Sequence, residues 1–410
     1  MAYLERAITP VLQKRLVNSK CLLLTGARQT GKSTLLKHIF PDYNYVTLDD
    51  KLTRLQARED PKLFFLNHRR PLFIDEVQKE PPLLEEIKIL VDESDLRGQF
   101  VMSGSQKLEL MKGMSESLAG RVSIADLGTL SLREIKQISF NRRFVPTQDY
   151  LDEREKELVP YERIWESIHR GLYPELYDAP KEWWDFYSAY VSTYIERDIN
   201  ELVASDSVVF TRFLTAVAAR SGELLNYSNI AGDVGVSVST VKTWISVLER
   251  TGIIWLLQPY STGVLSRALN TPKIYFRDTG LACFLTRWRN PEALQYSAVA
   301  GSMFETFVVG EFLKSYSNEG MDHRFGVFFY RGRNNVGRGH NEIDLVIEEN
   351  GVLYPVEIKL SASPRAEMAS AFLALDGIAG KKRGMGVIFC LTDRKHYLRD
   401  NLLALPLSYL

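Results

Sequence analysis

Residues 21–39 read CLLLTGARQTGKSTLLKHI, and most of the architecture can be worked outward from this stretch. The apolar run CLLLT is typical of a buried strand, and KSTLLKHI has the spacing of a helix. Between them, Gly26 to Ser33 match the pattern G-x-x-x-x-G-K-[ST] in full. In this setting the glycines let backbone N–H groups turn inward around phosphates, where the positive end of the helix dipole adds attraction. The stretch therefore predicts a phosphate-binding loop.

The loop also predicts roles for individual side chains. Lys32 would reach the β- and γ-phosphates of ATP, and the hydroxyl of Ser33 would ligate magnesium. The alternative is a glycine turn that meets the pattern by chance. The predicted cofactors are ATP and Mg²⁺. The predicted nucleotide-binding residues are Gly26, Ala27, Arg28, Gln29, Thr30, Gly31, Lys32, Ser33 and Thr34.

A second element, PLFIDE at residues 71–76, predicts the other half of the site. Its apolar residues form a strand that ends at Asp75, which would point toward the magnesium shell. Glu76 follows directly and would act as the base, or position the water, for attack on the γ-phosphate. Carboxylates just past a strand can also be plain helix caps, and this is the alternative interpretation.

Two further positions are candidates for the same chemistry. The strand QFVMSGSQ ends in Ser103, Ser105 and Gln106, any of which could sense the γ-phosphate. Arg121, in SLAGRV, could be an arginine finger that completes the ATP site of the next subunit. The alternative for a lone surface arginine is a solvated charge.

The whole chain has 410 residues, with 51 Lys and Arg against 51 Asp and Glu. This balance excludes a uniformly basic nucleic-acid coat but allows local patches. The three cysteines lie far apart, which favours a reducing cytoplasm over a disulfide framework. No apolar run approaches the roughly 18 residues of a membrane span, so no membrane partner is expected.

Short apolar strands alternate with helical patterns between about residues 20 and 135, which predicts a mostly parallel, doubly wound sheet of the α/β class. An aromatic, helical stretch centred on EWWDFYSAYVSTYIERDI follows. We interpret its aromatic stripe as packed core, with a ligand platform as the alternative. The predicted units are an ATPase domain at 1–145, a helical linker at 146–221, a helix-turn-helix region at 222–297 and a final α/β domain at 298–410.

Several of these motifs resemble one family. GARQTGKSTLL, PLFIDEVQ, VMSGSQ and SLAGRV, followed by GLYPE, YIERDI, PKIYFRDTGL and EIDLVIE, look like the predicted AAA-type ATPases of bacteria and archaea that carry a C-terminal domain of unknown function. The resemblance covers nearly the whole chain. It implies an AAA-like P-loop ATPase core, a winged-helix middle and a nuclease-like tail of restriction-endonuclease-like fold.

The stretch NYSNIAGDVGVSVSTVKTWISVLERTGIIWLLQPY predicts a helix, a turn at Gly235, a second helix and an apolar strand. Val241, Trp244 and Leu248 share one face of that second helix. In a DNA-reading module, the start of this helix, residues 237–242, would enter the major groove. Only Lys242 is basic there, so a structural role or a protein contact is the alternative.

The tail carries a second candidate site. Glu305 lies on an amphipathic helical pattern, SMFETFVVGEFL, and Asp344 and Glu357 lie on two strands joined by a turn at residues 349–351. Alternation puts Glu357 and Lys359 on one face. The set resembles that of the PD-(D/E)xK nucleases, in which Asp344 and Glu357 would hold magnesium and Lys359 would stand beside the attacking water. The nearby basic loop contributes three candidate phosphate contacts, Arg331, Arg333 and Arg338. The alternative is a nuclease fold retained as a scaffold.

The leading hypothesis is a magnesium-dependent ATPase of AAA type that acts on DNA as a motor or remodeller, with DNA as partner and a homo-oligomer, such as a ring, as the assembly. A second hypothesis is a regulatory or signalling NTPase switch whose helix-turn-helix and tail bind proteins. A third is a nuclease gated by ATP.

Overall fold

The computed structural model describes residues 3–105, 118–178, 181–199, 206–261, 263, 271–333 and 340–410. In these residues the α-helices, α1 to α16, are Thr9–Asn18, Lys32–Ile39, Lys51–Glu59, Pro61–Asn67, Leu83–Asp92, Leu132–Ile135, Gln148–Glu155, Ile164–Arg170, Glu175–Asp178, Trp183–Tyr190, Ser207–Ala218, Tyr227–Val234, Val238–Arg250, Thr279–Leu285, Pro291–Gln295 and Ala300–Asn318. A π-helix spans Val191–Ile199, and 3-10 helices span Val77–Lys79, His323–Phe325, Ala366–Leu375 and Leu407–Tyr409.

The strands, β1 to β14, are Cys21–Thr25, Asn44–Thr47, Leu72–Asp75, Phe100–Gly104, Val122–Asp126, Ile254–Leu257, Lys273–Phe276, Val327–Arg333, His340–Glu349, Val352–Ile358, Lys382–Arg383, Gly386–Phe389, His396–Arg399 and Leu402–Leu405. They form three sheets. The first five strands form a sheet in the order β2-β3-β4-β1-β5, with every neighbouring pair parallel. The predicted α/β sheet is therefore confirmed.

The central strands of this first sheet, β1, β3 and β4, are buried on both faces because helices cover both faces. Leu22 and Leu24 pack with the residues of α1 and α2, whereas Cys21 and Leu23 pack on the opposite side with those of α5. The loop after β1 and the residues after β3 leave the sheet at the carboxyl ends of their strands. This edge is the usual place for a ligand in an open parallel sheet.

The middle of the chain is helical and packs around aromatic side chains. Phe186, Tyr187 and Tyr190 of α10 are buried, which confirms that the aromatic stripe is packed core. The predicted helix-turn-helix is present as α12 and α13, and β6 and β7 follow as an antiparallel pair. One continuous apolar cluster includes side chains from Leu130 to Leu410, so the middle of the chain and the tail share a core.

The tail is a mixed sheet in the order β13-β14-β12-β10-β9-β8, with β11 beside β10. The hairpin predicted at residues 349–351 is confirmed, since β9 and β10 pair antiparallel across it. Helix α16 was predicted to be amphipathic, and this was wrong. Almost all of its residues are buried, because it lies between the tail sheet and the middle of the chain.

Candidate functional site: a P-loop edge and a buried carboxylate cluster

The phosphate-binding loop has the backbone geometry that its glycines permit. Gly26 has a φ of +152°, and a Cβ there would lie 2.3 Å from the carbonyl oxygen of Leu127. Gly31, with a φ of +88°, is the N-cap of α2. A side chain at either glycine would be strained. The loop therefore carries the chain from β1 to the N-terminus of α2, where unpaired backbone N–H groups suit an anion.

Lys32 is buried in the loop and is bonded to backbone rather than to a carboxylate. Its Nζ donates to the carbonyl oxygens of Gly26, at 3.1 Å, and Ala27, at 2.8 Å. Burial lowers the pKa of Lys32 to about 8, although nearby Glu76 and Asp75 act in the opposite direction. An ammonium held by two neutral carbonyls keeps its full charge available for a phosphate.

Asp75 lies at the end of β3 and gathers three hydroxyl groups. Ser33 Oγ donates to Asp75 Oδ1 at 2.8 Å, and Ser103 donates to the same oxygen. Tyr45 donates to Asp75 Oδ2 at 3.1 Å. This set of hard oxygen donors fits magnesium. The structure thus brings together the two residues that the sequence assigned to the metal.

Glu76 has a left-handed backbone, with a φ of +58°. The amide of Gln78 donates to its carboxylate, and Ser105 Oγ donates to the same carboxylate at 3.4 Å. Gln78 also donates to Ser105 at 3.2 Å. Ser105 therefore lies beside the predicted base and Ser103 beside the predicted metal ligand, whereas Gln106 lies outside the described residues.

The other residues of the loop point in different directions. The guanidinium of Arg28 lies 5.3 Å from the centre of the Tyr194 ring. Gln29 and Thr34 are exposed, and Thr30 is buried. Arg6 was missed by the sequence reasoning: its Nη1 donates to the carbonyl oxygen of Thr30 at 2.8 Å. No local pattern marks Arg6, because its partner lies 24 residues away.

Arg121 lies at the opposite end of the first sheet from the loop. It precedes β5, whose residues 122–126 pair in register with β1, so about 16 Å of strand separates it from the loop of its own chain. Its guanidinium forms two hydrogen bonds with Asp92, at 2.5 and 2.9 Å, and both side chains are partly exposed. Any contact of Arg121 with ATP would have to be made in another subunit.

Helix α13 presents its first turn to solvent. Ser237 caps the helix by accepting from the N–H of Thr240, and Ser239 and Lys242 are exposed. Lys242 Nζ lies 5.6 Å from the centre of the Tyr227 ring. The same helix begins at the wall of an open cleft of about 840 Å³, whose charged lining residues are Arg220, Lys242, Lys273, Glu223 and Glu342.

The tail residues predicted to act together do lie together. Lys359 pairs with Glu357, and its Nζ lies 4.0 Å from Asp344 Oδ2. Asp344 Oδ2 also accepts from the N–H of Ile358 at 2.8 Å. Burial, with neighbouring Glu305, raises the pKa of Asp344 well above its ordinary value, and burial also raises the pKa of Glu357.

The sequence reasoning missed three residues of this cluster, namely Lys273, Tyr275 and Glu342. Lys273 of β7 contacts Glu305 and Glu342, with Nζ–O distances of 3.2 and 2.7 Å. Tyr275, two residues along, donates to Glu305 at 2.6 Å. The signal available in the sequence was a lysine inside the apolar strand KIYF, where a charge needs a partner.

The basic loop near this cluster is only partly described. Arg331 is exposed, with its Nε 3.9 Å from Glu342. The side chains of Arg333 and Arg338 lie outside the described residues. Within the described part of the chain, no three His, Cys, Asp or Glu side chains are grouped so as to hold one metal ion.

Comparison with known families divides the chain into three segments. Residues 18–136 match a family described as an AAA domain, residues 161–292 match a domain of unknown function (DUF8612), and residues 300–410 match another (DUF4143). The chain therefore carries an AAA-type ATPase domain, the class that the P-loop edge defines. It combines that domain with a C-terminal DUF4143 domain. These findings do not test the winged-helix and nuclease-like predictions.

Two relatives and one solved structure are similar to large parts of the chain. The chain is 27% identical over 362 residues to uncharacterized proteins of Mycobacterium bovis (Mb2031c) and Mycobacterium tuberculosis (Rv2008c), covering 86% of this chain and 73% of each relative. It is similar to a Walker-type ATPase of Pyrococcus abyssi, with a TM-score of 0.42, 15% identity and coverage of 68% of this chain and 94% of that one. Among the described residues, no helix is both long and apolar enough to cross a membrane.

Proposed function

We propose that the chain binds ATP with magnesium at the P-loop edge and hydrolyses it. The observation that carries this proposal is the hydrogen bond from Ser33 to Asp75, with Glu76 next along the chain. Ser33 and Asp75 would hold magnesium, which would neutralise charge on the phosphates. Lys32 would exchange its two carbonyl partners for phosphate oxygens. Glu76, oriented by Gln78, would accept a proton from the attacking water.

The test compares Glu76→Gln with Asp75→Asn. Glu76→Gln should bind ATP with little change in Kd, since the binding groups survive, and should lower turnover by about 10²- to 10⁴-fold. Asp75→Asn should weaken the dependence of binding on magnesium. Glu59→Gln, an exposed change on α3, is the control and should turn over normally. Turnover by Glu76→Gln at the original rate would remove Glu76 from the role of base.

We further propose that the ATPase acts on DNA. The support is the cleft at the start of α13, where Lys242 and Arg220 face the same space as Lys273 of the tail cluster. Single-stranded, duplex and branched DNA should be compared as stimulators of ATP turnover. Lys242→Ala should reduce the stimulation and leave the basal rate unchanged, whereas Lys156→Ala, an exposed lysine elsewhere, should change neither.

The regulatory switch remains the alternative function. It would be favoured if none of these DNA molecules binds to the chain or changes its rate. The tail cluster supports a second activity, magnesium-dependent cleavage of DNA, because Asp344, Glu357 and Lys359 lie within one set of contacts. Incubation of supercoiled, linear and branched DNA with magnesium or manganese tests it. Cleavage should disappear in Asp344→Asn and Glu357→Gln while ATP turnover continues.

The assembly that we propose is a homo-oligomer, such as a ring, in which Arg121 reaches the neighbour's ATP. We propose the cytoplasm as its location, since all three cysteines are buried free thiols and a reducing compartment keeps them so.

A further inference from the structure

The ammonium group of Lys273 lies at the centre of the tail cluster. Its Nζ is 2.7 Å from Glu342, 3.2 Å from Glu305 and 3.9 Å from Asp344, and the residue is 3% exposed. The carboxylates come from α16 and β9, whereas Lys273 comes from β7 in the middle of the chain. One buried cation therefore joins carboxylates from two elements of the tail to a strand outside it.

The cluster has oxygen donors for a metal, but ammonium groups already contact them. Glu357 is buried, and its Oε2 has no hydrogen-bond partner among the described residues, so one carboxylate oxygen is left to coordinate. Magnesium would need Asp344 and its neighbours within about 2.1 Å. A divalent ion placed there would lie a few ångströms from the ammonium of Lys273, and two cations so close in a buried site repel strongly.

We propose that Lys273 is a resident counter-ion that competes with divalent metal at Asp344 and Glu357. The inference rests on the proposal that these two carboxylates form a metal site. Four carboxylates face two ammonium groups in this cluster, those of Lys273 and Lys359. A metal held by Asp344 and Glu357 would have to displace Lys273 from Asp344, and Lys359 from both carboxylates.

The position of strand β7 would allow it to control the replacement of Lys273 by metal. Lys273 also lines the cleft next to helix α13, so it stands between the surface proposed for DNA and the carboxylates. Tyr275 holds Glu305 from the same strand. A polyanion in the cleft offers Lys273 an alternative set of oxygen partners. The tail site would then be closed to metal in the free chain and would open when an anionic strand occupies the cleft.

The experiment measures manganese binding by calorimetry and paramagnetic resonance in the full chain without nucleotide. Asp75→Asn is present throughout, so that the ATP site contributes little binding and the same amount in every variant. Lys273→Met should bind manganese with a Kd at least tenfold lower than the parent, because the competing charge is gone while the carboxylates remain. Lys273→Arg keeps the charge and should bind as weakly as the parent. Adding Glu357→Gln to Lys273→Met should remove the gain.

A parent chain that binds manganese as tightly as Lys273→Met would overturn the inference, and so would a gain that survives Glu357→Gln. If Lys273→Met unfolds because its carboxylates lack their cation, metal should restore folding, since a ligand that binds only the native state stabilises it. Failure of millimolar manganese to raise the Tm of that variant would count against the proposal. None of these readings depends on DNA cleavage or ATP turnover, which test the proposed functions separately.

Discussion

The two candidate sites both combine a buried lysine with carboxylates, but the two lysines have different partners and opposite pKa shifts. In the P-loop edge, Lys32 is bonded to neutral carbonyls, and burial lowers its pKa to about 8. In the tail, Lys273 is bonded to carboxylates, and although burial alone would lower its pKa, Glu305 and Asp344 raise it above its ordinary value. A lysine without a counter-charge is ready for an anionic ligand, whereas a lysine inside an ion cluster is already satisfied. The chemistry of a site therefore depends on the partners of its lysine as much as on its carboxylates.

The largest expected effect tests whether the ATP site is complete within one chain or needs Arg121 of a neighbouring subunit. Arg121→Ala should lower ATP turnover on the order of 10³-fold if a neighbour's arginine completes the ATP site. Asp92→Ala, which removes the partner of Arg121 in its own chain, should not slow turnover. Mixing Arg121→Ala with Lys32→Ala should restore part of the rate once co-assembly is shown. A monomer whose turnover ignores Arg121→Ala would contradict the prediction.

Removing one lysine from each site tests which lysine serves a ligand. Lys32→Ala should raise the Kd for ATP by at least about 100-fold, the effect of deleting a buried charge from its partner at roughly 3 kcal/mol. Lys359→Ala should leave ATP binding and turnover unchanged, because its contacts are Glu357 and Asp344. Calorimetric titration of ATP into each variant gives the comparison. Equal losses in both would show that the two sites are not independent.

The sequence predicted which residues meet at the P-loop edge because its signals there are local. The strand, the glycines and Lys32 are contiguous, and Asp75 and Glu76 end a strand that is apolar throughout. The strands of the first sheet and the β9–β10 hairpin followed from the same kind of pattern.

The tail cluster was predicted only in part because its partners are tertiary. Lys273 and Glu305 lie 32 residues apart, and a lysine in β7 indicates the need for a partner without identifying Glu305 as that partner. Helix α16 was predicted to have a solvent face because periodicity cannot show that a second layer covers it. The domain boundaries remain predictions for a related reason, since one apolar cluster continues from Leu130 into the tail.

The uptake of protons on ATP binding gives a smaller effect that distinguishes Lys32 from the lysines of the tail cluster. The folded pKa of Lys32, about 8, lies below its ordinary 10.5, so the unfolded chain holds more protons between these values and stability contributed by this group rises with pH there. ATP needs the charged form. Binding should therefore take up a proton above pH 8, and affinity should fall by up to about tenfold per pH unit.

Calorimetry in buffers of different ionisation enthalpy counts the protons between pH 7 and 9.5. Lys359→Ala is the matched control and should show the same uptake, because the pKa of Lys359 is raised: burial alone would lower it, but neighbouring Asp344 and Glu357 more than offset that effect. A proton count that stays at zero across the range would mean that Lys32 is already charged throughout it in the free chain.

The smallest expected effects come from two tyrosines that each donate to a carboxylate. Tyr45, partly exposed, bonds to Asp75, and Tyr275, fully buried, bonds to Glu305. Tyr45→Phe should weaken binding of magnesium and ATP several-fold and change the free energy of unfolding by at most about 0.5 kcal/mol, since water can replace the lost donor. Tyr275→Phe should leave ATP binding intact and lower the free energy of unfolding by about 1.5 kcal/mol, since Glu305 loses a buried donor but keeps that of Lys273. Urea unfolding and ATP titration of both variants give the four values. If Tyr275→Phe proved as stable as the parent, the hydrogen bond to Glu305 would not stabilise the tail cluster, and the contrast between Lys32, without a carboxylate partner, and Lys273, within an ion cluster, would be weakened.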